Sequence, residues 1–131
     1  MQRKTIQTGA PWEGVAHYSR AVRIGSTIEV AGTTAMNGDT IVGKGDVAAQ
    51  THYIFTLIER VLEELGASLQ DVVRTRMYVT DIGDWEKIGT VHGAFFKGIN
   101  PVATMVEVSS LIHPDLLIEI EVTAIALSKN N

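Results

Sequence analysis

The chain has 131 residues, 45% of them apolar, with a net charge of −4 and no cysteine. That length and apolar fraction fit one globular domain spanning 1–131 and exclude extended disorder. The acidic balance leaves no basic footprint for nucleic acid, and the lack of cysteine removes disulfides, thiolate nucleophiles and cysteine-based zinc sites.

In chain order, the start "MQRKTIQTGAPW" lacks the apolar run of a signal peptide. No stretch approaches the ~20 apolar residues of a membrane helix. The expectation is a soluble cytoplasmic protein with no membrane or nucleic-acid partner. After this Gly/Pro-containing lead, "YSRAVRIGSTIEVAGTT" reads as two short strands turning at Gly25 and Ser26. Gly38, Gly43 and Gly45 punctuate a loop that ends at Asp46, a helix N-cap. Val47, Ile54, Ile58, Val61, Leu62 and Leu65 then recur at helical spacing, with Gly66 as the stop.

"DVVRTRMYVTD" is a strand by its β-branched and aromatic content, with Thr75, Met77 and Val79 on one face and Arg74, Arg76, Tyr78 and Thr80 on the other. Asp84 caps a second helix whose stripe is Ile88, Val91, His92 and Phe95, ending near Gly98. Pro101 opens the strand "VATMVEVSSL", and "LLIEIEVTAIAL" closes the chain. The order is β-β-α-β-α-β-β, an α+β pattern.

Two helices can roof only one face of a sheet of at least five strands. In the last strand Ile118, Ile120, Val122, Ala124 and Ala126 share one face, and Leu117, Glu119, Glu121, Thr123 and Ile125 the other. The unroofed face therefore mixes Arg74, Arg76, Tyr78, Glu119, Glu121 and Thr123 with Leu117 and Ile125. It is too apolar for water and too polar for a private core, so other copies of the chain are expected to cover it.

His17, His52, His92 and His113 are scattered without ligand spacing, so no metal site is expected. The loop "GKGDVAA" superficially resembles a dinucleotide turn but lacks its βαβ unit, and reads as a turn plus N-cap. Lys44, Lys87 and Lys97 sit on loops or a short helix and give no support for a Schiff base. Glu119 is suited to proton handling if burial or a hydrogen-bonded water lifts its pKa; the structural alternative is an ion pair at an interface.

Four segments, "HYSRAVRIGSTIEVAGTT", "GDVAAQTHYIFTLIERVLEELGASLQDVVRTRMYVTDIGDWEKI", "NPVATMVEVSSL" and "LIEIEVTAIAL", resemble the RidA/YjgF family of reactive-intermediate deaminases in order and spacing. The resemblance implies a chorismate-mutase-like α+β fold assembled as a homotrimer, with ligand clefts between subunits. It also implies cofactor-free hydrolysis of small enamines and imines, such as 2-aminoacrylate, to keto acids and ammonia. The family's proton-handling glutamate, first of its Glu-Ile-Glu motif, falls on Glu119, and the tyrosine of its Pro-Tyr-Ser motif on Tyr18. A serine before the strand-end glycine is replaced by Ala31, while Gly32 is kept; an asparagine of the second helix is replaced by Gly89.

The largest departure is the substrate-carboxylate arginine, whose place in "PVATMVEV" is taken by Ala103. Alanine offers no charge-assisted fork. Met105, two residues on, is a candidate cleft wall, and the backbone near Gly32 and Thr33 a candidate oxygen site. Arg76 is either a replacement anion anchor or the neutralising partner of Glu119 or Glu121. The reading is an enamine or imine hydrolase or related tautomerase using Glu119, with a metabolite-binding trimer as the alternative and a ribonuclease as a distant third.

Overall fold

Alternation along the chain is what builds the sheet. The computed structural model describes residues 2–127. Its strands are β1 (Arg3–Ile6), β2 (Ala21–Ile24), β3 (Thr27–Thr33), β4 (Met36–Asn37), β5 (Thr40–Ile41), β6 (Val72–Val79), β7 (Val102–Glu107) and β8 (Ile118–Ile125). The helices are α1 (Pro11–Ala16), α2 (Val47–Glu64) and α3 (Trp85–Phe96). The main sheet runs β1-β2-β3-β8-β6-β7, and β4 and β5 make a separate small hairpin. β6 and β7 are parallel because α3 carries the chain back between them, while the other neighbours are antiparallel. The single mixed sheet with helices on one side is the α+β architecture expected from the sequence.

Both long helices cover the same face. Ile54, Phe55, Ile58 and Leu62 of α2, with Ile88 and Phe96 of α3, are buried against Ile28, Met77, Val79, Ile118, Ile120 and Val122. Each large side chain buried in this way contributes about 1.5–3 kcal/mol. Asp46 caps α2 as expected, accepting from the Ala49 N–H at 3.0 Å, and Gly66 ends it at φ 80°. Gln50 is wholly buried and joins α2 to the segment before β8. Its amide donates to Gly43 O at 3.2 Å and Asp115 O at 3.0 Å, and accepts from the Leu117 N–H at 2.9 Å.

Two elements escaped the sequence reading, and one expectation needs correction. The first residues of the lead find the free edge of β2 and pair with it as β1. The segment after it forms α1, which is held by buried Glu13. That carboxylate accepts from the Thr8 and Gly9 N–H groups at 3.0 and 3.3 Å and from the Thr8 hydroxyl at 2.5 Å. Burial alone raises its pKa, but these hydrogen bonds outweigh burial and hold the carboxyl below its usual value. At α3 the Asp84 side chain makes no cap bond; Asp81, one turn earlier, accepts from the Gly83 N–H at 2.8 Å instead.

Candidate active site on the unroofed sheet face

Between Val30 and Thr33 the pairing of β3 with β8 slips: Ala31 and Gly32 together oppose the single residue Glu121. Such a bulge bends the strand and re-aims nearby side chains, which is why bulges recur beside active sites. Here it exposes Gly32 to Glu119. The Glu119 side chain lies so close to Gly32 that a Cβ there would collide with its carboxylate. Burial pushes the Glu119 carboxyl above the usual carboxylate range, repulsion from Glu121 adds to the effect, and Arg20 draws it part of the way back.

Tyr18 and Arg20 approach from the segment that leads into β2. Tyr18 follows the left-handed residue His17, φ 60°, which ends α1, and the Arg20 guanidinium lies 5.9 Å from the Tyr18 ring centroid. Arg20 Nη1 donates to Gly32 O at 2.6 Å and to Thr33 Oγ1 at 3.2 Å. The buried Thr33 hydroxyl in turn donates to Ala31 O at 2.8 Å. Ala31, Gly32, Thr33 and Glu119 therefore meet at one end of the sheet, with Arg20 bonded to the group and Tyr18 beside Arg20. Sequence reasoning missed Arg20. The signal available was its spacing of two from Tyr18, which places both on one face of an extended strand.

Arg76 does not join this group. Register sets Arg76 opposite Glu121 and Tyr78 opposite Glu119, yet Glu121 accepts from the Tyr78 hydroxyl at 2.8 Å. That bond is the main reason the Tyr78 phenol is pushed up. No carboxylate oxygen lies within 4.0 Å of Arg76 among the described residues. Its guanidinium faces a cavity of about 250 Å³ lined also by Ser19, Val22, Glu29, Ala31 and Glu121. The expected pairing of Arg76 with Glu119 or Glu121 is thus absent within one protomer. Hollows of about 460 and 490 Å³ lie at the opposite end of the sheet around Arg23 and Gly66. There Arg23 is already bonded to the Gly25 and Leu65 carbonyls.

Ala103 and Met105 stand elsewhere again. They pair in register with Thr75 and Met77, whose side chains are buried under the helices, so both belong to the roofed side of edge strand β7. Ala103 is exposed there and Met105 packs partly against the core. One protomer therefore does not bring them to Glu119. Glu107 accepts from the Ile82 N–H at 2.9 Å, a structural tie. His92 is also structural: Thr75 Oγ1 lies 2.9 Å from its Nε2, Phe96 is 4.7 Å from its ring, and burial pushes its pKa down. No group of three or more potential metal ligands is gathered among the described residues. Among them, no helix is long and apolar enough to cross a membrane.

A family model described as Endoribonuclease L-PSP matches residues 8–126. A Mycobacterium tuberculosis protein of the YjgF/YER057c/UK114 family is similar at 47% identity with a TM-score of 0.87, covering 95% of this chain and 100% of that one. A RutC family protein of Pyrococcus abyssi is 37% identical over 125 residues, 95% of this chain and 98% of its own. RidA from an Antarctic Psychrobacter is 29% identical with a TM-score of 0.81, covering 93% of this chain and 98% of that one. The chain belongs to the YjgF/RidA family.

Proposed function

We propose that this protein is a cofactor-free hydrolase of a small enamine or imine, working in clefts between copies of the chain. The observation that carries the reading is Glu119, half-buried against Gly32 with its pKa raised. A carboxyl so placed alternates between acid and base near neutral pH more readily than an exposed one. In the reaction, Glu119 in its acid form gives a proton to the enamine carbon, which becomes an iminium ion as Glu119 becomes a carboxylate. Glu119 then removes a proton from the attacking water as its oxygen bonds to the imine carbon. Glu119 returns that proton to the nitrogen, the C–N bond breaks as the hydroxyl gives its own proton to Glu119 and closes to a C=O, and ammonia leaves with a keto acid as product.

The cleft itself needs a second protomer. In the proposed assembly, a homotrimer, the unroofed faces meet. The edge strand β7 of one subunit then brings Ala103 and Met105 toward the Tyr18–Gly32–Glu119 group of the next. Arg76 and Glu121 lie further inside, where Arg76 neutralises an interface carboxylate.

The test generates imines from several amino acids with an amino-acid oxidase and follows semicarbazone formation with and without the protein. Less semicarbazone in the presence of the protein is expected, because hydrolysis removes the imine first; Glu119→Gln abolishes the effect. No change for any amino acid would move the reading to a trimer that binds a metabolite without turnover. The ribonuclease named in the family model's description is disfavoured by the net charge of −4. Steeply salt-dependent RNA binding would restore it.

A further inference from the structure

Arg20 carries an unfilled half of a binding fork. A guanidinium has five N–H donors on two useful edges. Both hydrogen bonds that Arg20 makes, to Gly32 O and Thr33 Oγ1, leave from Nη1, the amino group on the same side as Cδ. They fix the plane of the group and leave the other edge, Nε–H beside Nη2, unused. Nε is buried without any partner, the one such side-chain atom among the described residues. Among those residues no carboxylate comes within 4.0 Å of this guanidinium either. A buried donor left unpaired is costly and rare in folded proteins, and an acceptor supplied from outside the chain is one way such a group is satisfied.

The chemistry of the edge names the acceptor. Parallel N–H groups on a rigid plane match the two oxygens of a carboxylate better than a single oxygen or a spherical anion. The position fits as well, since the same guanidinium touches the bulge that holds Glu119 and lies over the Tyr18 ring. Arg76 is a poorer host because no hydrogen bond fixes its guanidinium among the described residues, whereas two hold that of Arg20. We propose that the Nε/Nη2 edge of Arg20 is the anion anchor of the cleft, seating the carboxylate of a small 2-oxo or 2-imino acid in place of the arginine absent at Ala103. The proposal rests on the cleft reading above and assigns its specificity to a different strand from the family's usual one.

The experiment titrates the intact protein with pyruvate at constant ionic strength, with chloride as the control, and follows arginine Nε–H and backbone amide signals by NMR. Saturable movement of the Arg20 Nε–H signal, with Gly32 and Thr33 amides following, is the expected result. Arg20→Met is expected to weaken pyruvate binding roughly 10- to 150-fold, the worth of hydrogen bonds to a charged group. Arg20→Lys keeps the charge without the fork, so it weakens binding less; it also serves if the Met variant fails to fold. Arg76→Gln leaves the affinity within about twofold.

Undiminished affinity in folded Arg20→Met or Arg20→Lys overturns the anchor, as does loss of binding in Arg76→Gln alone. A silent Arg20 Nε–H signal at millimolar pyruvate overturns it too. The binding titration and the semicarbazone assay are independent readouts, so the outcomes separate. Pyruvate held by Arg20 without imine hydrolysis sinks the enzymatic reading and keeps the anchor, whereas imine hydrolysis undiminished in Arg20→Met does the reverse.

Discussion

Glu119 is in tension with its surroundings, and the tension has a measurable sign. A carboxyl whose native pKa exceeds its unfolded value binds protons more tightly when folded, so stability falls as pH rises between the two values. Burial and Glu121 put Glu119 in that class. Glu119→Gln is therefore expected to raise the melting temperature near pH 8. The gain should vanish towards about pH 4, below the ~4.3 of an unperturbed glutamate. An equal gain at both ends would show that Glu119 is unstrained. Gly32 gives a second residue-scale test. Gly32→Ala should displace the Glu119 carboxylate, because the added methyl takes its space. Its expected signature is loss of ligand binding with only a modest change in melting temperature, since a side-chain end can swing away. Unchanged ligand affinity would count against the proposed site.

At the scale of elements, the fold hangs on a few polar ties that hydrophobic patterning does not show. Gln50 alone serves three backbone groups belonging to a loop, the β7–β8 connection and the entry to β8. Gln50→Leu keeps the volume but strands those groups in a dry interior. A loss on the order of 2–4 kcal/mol is expected, read by urea denaturation. A cost below about 1 kcal/mol would mean that water reaches them. Since β8 carries Glu119, the same change should loosen the site. The bulge in β3 is the other decisive device, because regular pairing would leave Gly32 in an ordinary ladder position and Glu119 without its niche.

For the whole molecule, the unroofed face is the dominant fact. It exposes Ile24, Val102, Val106 and Ile125 at 42%, 56%, 43% and 37%. Strand alternation puts all of these on the face that also carries Arg76 and Glu119. A face on which exposed apolar residues flank such charged ones is expected to be covered by another subunit. Sedimentation at micromolar concentration is expected to report a trimer. Val106→Arg should shift the mass toward a monomer while the circular dichroism spectrum stays that of the folded chain. A wild-type monomer would remove the cleft, and with it both the catalytic proposal and the shelter needed by a raised Glu119.

Much of this was written in the linear chain. Apolar residues at spacings of two and of three to four determined the strands, both long helices and the face of β8 that enters the core. Asp46 and Gly66 marked the ends of α2, and the Glu-Ile-Glu motif marked the strand of interest. These are local preferences, so a one-dimensional pattern carries them. The lead's conversion into β1 and α1, the bulge at Ala31 and Gly32, the burial of Glu13 and the separation of Arg76 from Glu119 were decided by the tertiary structure. So was the placing of Arg20 over Gly32 and Thr33. Each depends on which strand edge is free, which register wins and which donor is left unpaired after neighbours close in. Such facts exist only once distant segments share space.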